Sequence, residues 1–361
     1  MSMITTTDAA SFLTRKRRQG STHWTDWLAY AYLAIGVMLV LLPMFWMLMS
    51  SIKSPRALVE NDPRLLPYEQ ITTPAIDGQR QLSVFVWTKP DGTKADVAFV
   101  GPRGANARVY ELSKPTEIIE VPRTALARKD IVQPRWENYT DPTIGSTQSR
   151  TFNFLRYFWN STFVTVVATL LTLIVNAMAA FALSKYKFKG RDAMVLIIVA
   201  TLLIPPTVIL VPLFMTVSSL GLLNTLWGVI IPAVATPTGV FLLRQYMLTI
   251  PDELLEAARM DGASEWKIFW RIMLPLSLPA LSVLAILSVM WRWNDFMWPL
   301  IVLTQSEVFT LQLGLSTFKG ELNDNMHYLL AMTVLTLLPV TLVFVVLQKH
   351  ITTGIANTGL K

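Results

Sequence analysis

FWNSTFVTVVATLLTLIVNAMAAFAL, running from Phe158 to Leu183, decides the fold. No Asp, Glu, Lys or Arg interrupts it. A helix of about 20 mostly apolar residues crosses the ~30 Å hydrocarbon core of a bilayer. In lipid a lone segment satisfies its backbone N–H and C=O groups only by coiling into a helix. Five more stretches meet the same test: Ala29 to Met49, Ala193 to Val217, Leu226 to Leu248, Pro279 to Leu303 and Tyr328 to Leu347. The sequence therefore predicts an all-α membrane protein with six transmembrane helices.

Composition agrees. Of 361 residues, 52% are hydrophobic and only 15% charged, against about 25% charged in a soluble domain. The net charge of +7 follows from basic residues flanking apolar segments, and no basic, aromatic-interleaved patch suggests nucleic acid. The chain has no cysteine, which excludes disulfides, thiolate nucleophiles and cysteine metal sites. The three histidines, His23, His327 and His350, are far apart in sequence and form no recognisable ligand cluster.

Orientation follows from the short loops. Ser184 to Asp192 holds Lys185, Lys187, Lys189 and Arg191, and Thr249 to Leu278 holds Arg259, Lys267 and Arg271. Lys349 and Lys361 follow the last stretch. Ser218 to Thr225 has no charge, and Thr304 to His327 sets Lys319 against Glu307, Glu321 and Asp324. Basic loops thus alternate with non-basic ones, which places both termini in the cytoplasm by the positive-inside rule. Residues 1–28 then form an N-terminal tail and 349–361 a C-terminal one. Arg15, Lys16, Arg17 and Arg18 resemble the basic start of a signal peptide. The apolar run behind them is too long for one and lacks a small-residue cleavage site, so it reads as a retained span.

The 50–157 region is too long for its charges to set topology and falls outside the cytoplasm by parity. Val84-Phe85-Val86-Trp87 and Val97-Ala98-Phe99-Val100 flank Pro90-Asp91-Gly92-Thr93, a hairpin pattern in which Asp-Gly supplies the positive-φ turn. Gly101-Pro102-Arg103-Gly104 leads on to Val109-Tyr110-Glu111-Leu112, and Ile118-Ile119-Glu120-Val121 is a further β-like run. A small antiparallel β domain between the first two spans is expected; the alternative is a polar loop.

The functional signal lies in the longest cytoplasmic loop, 249–278. Pro251, Asp252 and Glu253 suit a first helical turn at the positive end of a helix dipole. Leu254, Leu255, Ala257 and Ala258 favour helix, Asp261-Gly262 ends it, and Ser264 caps a second helix through Ile272. A short rigid helix between two spans can insert into a groove on a soluble partner and pass its motion to the bundle. The alternative is an amphipathic interfacial helix with Glu256 and Arg259 as a solvated i,i+3 pair.

Glu256-Ala257-Ala258, then Gly262, then Ile272-x-Leu274-Pro275 resembles the EAA loop of binding-protein-dependent ABC import permeases. Asn160-Ser161, Phe188-Lys189-Gly190-Arg191 and Trp293-Asn294-Asp295-Phe296-Met297-Trp298-Pro299-Leu300 resemble the carbohydrate, MalG-like branch of that family. The likeness covers the first span and about Trp136 onward. Gly354 and Gly359 match the branch's tail only approximately, and roughly Pro67 to Gln133 is extra, a long loop of the kind associated with α-glucoside uptake.

The resemblance implies a bacterial inner-membrane permease subunit of a sugar importer, the substrate being an oligosaccharide such as an α-glucoside, or a polyol. Its implied partners are a second permease, two ATPase subunits and an extracytoplasmic solute-binding protein. No Gly-x-x-x-x-Gly-Lys-Ser/Thr loop is present, so the chain is expected to bind no cofactor and to leave ATP and Mg to the partner ATPase. Glu256, Ala257, Ala258, Asp261 and Gly262 would form the coupling element. Asn176, Trp293, Asn294 and Asp295 are candidates for the substrate pathway, since polar and ionisable groups within spans are functional by default. The structural alternatives are an Arg292–Asp295 pair with Trp293 and Trp298 as interfacial anchors, and an Asn176 that bonds a neighbouring helix. Pro205-Pro206, Pro232 and Pro237 are expected to kink spans three and four. An ion-driven secondary transporter would want paired intramembrane charges beyond Arg292 and Asp295. A membrane enzyme would want a nucleophile, base and orienting group, and no such set is visible.

Overall fold

The computed structural model describes residues 24–60, 64–74, 81–144, 152–318 and 325–356. The basic run from Arg15 to Arg18, His23, Lys319, Glu321, Asp324, Gly359 and Lys361 lie outside the described residues, as do the side chains of Lys349 and His350. The chain divides into two units, 1–49 and 50–361.

In the first unit, helix α1 spans Trp24–Ser51, ending just inside the second. It begins before the apolar stretch proper, with Asp26 in its first turn. Its large apolar side chains, from Trp27 to Leu42, are more than half exposed on every side, the pattern of a helix solvated by lipid rather than water.

The second unit opens with helix α2 (Pro55–Val59) and a set of antiparallel strands. β1 (Tyr68–Gln70) pairs with β8 (Asp130–Val132), and the Gln133 N–H donates to Pro67 O at 2.9 Å. The two ends of the extra segment therefore meet in a stem. Beyond it, β2 (Thr72–Pro74), β3 (Gln81–Thr88), β4 (Lys94–Arg103), β5 (Asn106–Glu111) and β6 (Lys114–Pro122) follow in spatial order, and β7 (Leu126–Arg128) returns to β3. Gly92, with φ +82°, makes the β3–β4 turn, and the Lys89 N–H donates to Thr93 O at 2.8 Å. Val97, Ala107, Val109 and Val121 form the sheet's apolar face with Phe85, Trp87 and Phe99. Helix α3 (Glu137–Ile144) leads back to the bundle.

Helix α4 (Phe154–Lys185) is its central post. Its polar groups Thr165, Thr169, Thr172 and Asn176 are buried, while Leu155, Trp159, Val166 and Leu170 are exposed. This is an apolar span turned partly inside out, with polar residues on the protein side and hydrocarbon outside. Around it stand α5 (Arg191–Thr201) with α6 (Leu210–Ser219), α7 (Leu226–Ile230) with α8 (Pro237–Met247), the loop helices α9 (Glu253–Met260), α10 (Glu265–Ile268) and α11 (Leu274–Leu276), then α12 (Leu278–Trp293), α13 (Met297–Val302), α14 (Leu311–Ser316) and α15 (Met326–Ala356). The last helix runs through most of the stretch read as a tail.

Among the described residues, three helices are long and apolar enough to cross a membrane alone: Asp26–Ser51, Phe154–Lys185 and Met326–Val346. Three further candidates reach that length as bent pairs. The pair 191–201 and 206–219 bends by 99° and the pair 226–233 and 237–247 by 41°. Both breaks fall at the prolines singled out above, which remove an N–H and disfavour helix in the preceding residue. Residues 265–276 and 278–293 bend by 76° at Ser277, between Pro275 and Pro279.

Pro279 to Leu303 is not the single helix expected. It stops at Trp293 and restarts at Met297. Pro299 cannot stand in a helix that includes the carbonyl four residues back, at Asp295. The Asp295 carboxylate instead accepts the Trp298 N–H at 3.3 Å and starts the new helix.

Candidate functional site

The 249–278 loop is built from its base upward. Ile250, Leu255, Ile268, Phe269 and Met273 share one buried cluster with Ala177, Ala180 and Phe181 of α4 and with Leu243 and Met247 of α8. Leu255 is 1% exposed. Its neighbours Glu253, Leu254, Glu256, Ala257, Met260 and Asp261 all face outward. Alternate faces of one short helix are thus divided between the bundle and the exterior, as the 3.6-residue repeat requires. Pro251 falls just ahead of the first turn, since the helix begins at Glu253.

The far end of α9 closes as a Schellman turn. The Ala263 N–H donates to Ala258 O and the Gly262 N–H to Arg259 O, both at 2.9 Å. Gly262 has φ +76°, the left-handed conformation that this closure demands. Ala258 and Ala263 pack on the buried cluster, supplying the apolar contact that accompanies the motif. The second alanine of the Glu-Ala-Ala triplet therefore holds the helix down, while Glu256 and Ala257 remain on its outer side. Ser264 caps the following helix by accepting the Lys267 N–H at 3.3 Å.

Two polar clamps fasten the loop to the end of α4, one an ion pair and the other a phenol hydrogen bond to a carboxylate. The Lys185 ammonium, nearly fully buried, donates to Ile250 O at 2.5 Å and to the Asp252 carboxylate at 2.6 Å. That bond holds the Asp252 carboxyl below its usual range. At the other end Arg259 donates to Glu265 at 2.8 Å, and the Tyr186 hydroxyl donates to the same carboxylate. Arg259 and Tyr186 together hold the Glu265 carboxyl low. Burial, then the adjacent carboxylate, pushes the Tyr186 phenol up to about 12. The Glu256–Arg259 pair of the alternative reading does not form; Arg259 pairs with Glu265, which leaves Glu256 outside any ion pair among the described residues. Lys185, Tyr186 and Glu265 were not singled out in the sequence, because long-range partners leave no periodic signal.

A second polar centre lies inside the bundle. Asn176 is fully buried; its amide donates to Thr236 Oγ1 at 2.9 Å and its carbonyl accepts the Thr236 N–H at 3.1 Å. Thr236 caps α8 by accepting the Gly239 N–H at 3.2 Å. A Cβ on Gly239 would lie 2.5 Å from the Asn176 amide nitrogen, so the close approach requires glycine. Nearby, Arg292 donates to Ser288 Oγ and Thr172 Oγ1, each at 2.7 Å, and to Ala233 O. Thr169 and Ser288 join hydroxyls at 3.0 Å. Arg292 thus supplies donors to the carbonyl left open where the fourth span breaks.

The structure corrects several readings here. Arg292 and Asp295 form no ion pair; each caps a different helix end. Trp293 is 4% exposed and donates its indole N–H to Thr336 O at 3.0 Å; Trp298 is 7% exposed and donates to Gly228 O at 3.1 Å. Asn176 bonds a neighbouring helix and has no exposed surface. Asn294 is exposed, although its amide turns back to Met290 O at 2.8 Å.

A helical bundle with several apolar spans and an exposed helix fixed rigidly between two of them defines a multi-pass membrane protein. The chain belongs to the family described as the binding-protein-dependent transport system inner membrane component, which matches residues 176–357. That range contains the whole 249–278 loop and excludes the strands. The chain is 40% identical over 205 residues to the arabinooligosaccharides transport system permease protein AraQ of Halalkalibacterium halodurans, covering 57% of this chain and 74% of that one. It is 33% identical over 201 residues to the lactose transport system permease protein LacG of Rhizobium radiobacter, covering 56% and 74%. To the sn-glycerol-3-phosphate transport system permease protein UgpE of Brucella suis it is 30% identical over 253 residues, covering 69% and 88%. Its fold matches a chain from a crystal structure of a bacterial ABC transporter that imports alginate, with TM-score 0.64, 22% identity, and coverage of 93% and 99%.

Proposed function

We propose that this chain is one permease subunit of an ATP-driven, binding-protein-dependent sugar importer. It crosses the bacterial inner membrane six times, with both termini in the cytoplasm and the 50–157 sheet region outside. A second permease completes the pathway. A solute-binding protein delivers the sugar, and two ATPase subunits, using ATP and Mg, drive the cycle. This chain binds neither. The names of its relatives, which include arabinooligosaccharide and lactose permeases beside a glycerol-phosphate one, support an oligosaccharide, such as an α-glucoside, or a polyol as substrate.

The observation that carries the reading is the architecture of α9. Its inner face and both ends are fixed, and its outer face, Leu254, Glu256, Ala257 and Met260, has no partner among the described residues. Met260 is 87% exposed. Such a helix moves only with α4 and α8. ATPase closure would pull it, and the pull would bias the bundle between its two access states by the difference in ATPase affinity for them. Glu256, Asp261 and Gly262 would stand at that contact.

Because the chain has no cysteine, Met260→Cys gives a single reactive site. Cross-linking of that cysteine to the ATPase in assembled complexes, in yields that change with nucleotide, is the expected outcome. Labelling of Met260→Cys by an impermeant thiol reagent added to intact cells would place the loop outside and overturn the reading.

A further inference from the structure

A cleft of about 750 Å³ opens where the strand stem meets the bundle. It is walled by α2, by the β1 and β3 strands, by α3 and by the first turn of α15. It exists only because the extra segment folds back beside the last span. Its volume suits a ligand of two or three sugar rings.

The lining is polar and is built, not merely left over. Arg135 holds Glu69 through two hydrogen bonds of 2.9 and 2.6 Å, and the Tyr328 hydroxyl donates to Asp141 at 2.8 Å. Both pairs keep their groups fixed at the wall. His327 lines the same cleft and is 8% exposed; its Nδ1 is sealed from the cleft and has no hydrogen-bond partner among the described residues. Among the described residues no group of carboxylates and histidines converges as a metal site. Carboxylates outnumber guanidinium groups on the wall, which disfavours an acidic ligand.

We propose that this cleft is a recognition site for a neutral oligosaccharide at the outer mouth of the permease. Resting on the sugar-importer reading, this gives the extra segment a purpose: it supplies fixed acceptors and donors for vicinal hydroxyls, each of which both gives and takes a hydrogen bond. His327, Gln70 and Ser83 line the walls of the cleft.

The test uses the complete transporter in lipid nanodiscs, without the solute-binding protein. Saturation-transfer NMR is recorded with arabinotriose, lactose and maltotriose, and uptake by proteoliposomes containing all subunits is measured in parallel. His327→Phe, which keeps the ring volume, is expected to raise the half-saturating concentration of the bound sugar about tenfold. Ser83→Trp, which fills the cleft from the strand side, is expected to abolish the signal and serves as the second variant if His327→Phe lowers thermal stability. Wild-type uptake of a sugar with no transfer signal, or with a signal unchanged in both variants, overturns the cleft and leaves the importer standing. Failure of the complete wild-type system to take up any sugar overturns the importer reading, and the cleft with it.

Discussion

Replacing Gly262 tests the coupling geometry most directly. Its φ of +76° is the one feature of the α9 turn that an L side chain resists, and a Cβ placed there would meet nothing within 4 Å. The cost of substitution is therefore conformational and not a clash. For alanine the left-handed region costs about 1–2 kcal/mol, which shifts the ratio of closed to open turn by roughly 5- to 30-fold. Asparagine tolerates the region and should lose least; valine, β-branched, should lose most. Opening this surface turn leaves the buried cluster in place, and a local cost of about 1–2 kcal/mol moves the melting temperature of a large complex by only a few degrees. The assay is ATPase activity stimulated by the loaded solute-binding protein, measured together with sugar uptake. Coupling should fall in the order Gly, Asn, Ala, Val, and uptake per ATP should fall with it. Valine coupling as well as glycine, or losses that ignore the order, would refute the argument that the Schellman turn sets the helix for its partner.

Leu255→Ala opens a cavity in the cluster beneath α9 and should cost about 2–5 kcal/mol in thermal or denaturant unfolding, whereas Leu254→Ala, at a 46% exposed site, should leave stability within about 0.5 kcal/mol and weaken ATPase retention on purification. An Arg259→Gln, Glu265→Gln double-mutant cycle should give a coupling of no more than about 1 kcal/mol, because both groups are substantially exposed. The Glu265 carboxyl is lowered from an ordinary 4.5, so its contribution is complete above that pH and is lost as pH falls below it through the folded value; loss of loop protection on raising the pH from 5 to 8, read by limited proteolysis, would contradict this sign. Asn176→Val removes both bonds to Thr236 and, at about 0.6 kcal/mol per interhelical bond, should lower stability by roughly 1 kcal/mol. A larger loss of transport at unchanged stability would support the expected place of Asn176 in the substrate pathway.

The helices of the α9 loop were legible because their signals are local. A proline and acids before the first turn, alanines and leucines within it, glycine at the left-handed position and serine at the next cap all act through backbone groups within a few residues. The β3–β4 turn was legible for the same reason, with Asp91-Gly92 setting the turn chemistry; the stem of β1 and β8 was not, because its two strands lie about 60 residues apart. Short helices α2 and α3 were not, since they lie in polar sequence with no apolar period. The restart at Met297 was written in Pro299 but masked by the apolar run around it.

By itself the sequence determined that this chain enters the membrane repeatedly and that a short, glycine-ended helix stands in its longest basic loop. Both conclusions follow from properties carried by neighbouring residues: hydropathy over about 20 positions and backbone preference over three or four. Only the tertiary structure decided who pairs with whom. Arg259 takes Glu265 rather than Glu256, Arg292 takes a helix-end carbonyl rather than Asp295, Trp293 spends its N–H on the last helix, and His327 is buried at the wall of a cleft. Each outcome depends on which groups the fold brings within about 3 Å, and hydrogen bonding at that range is set by position in space, not by distance along the chain.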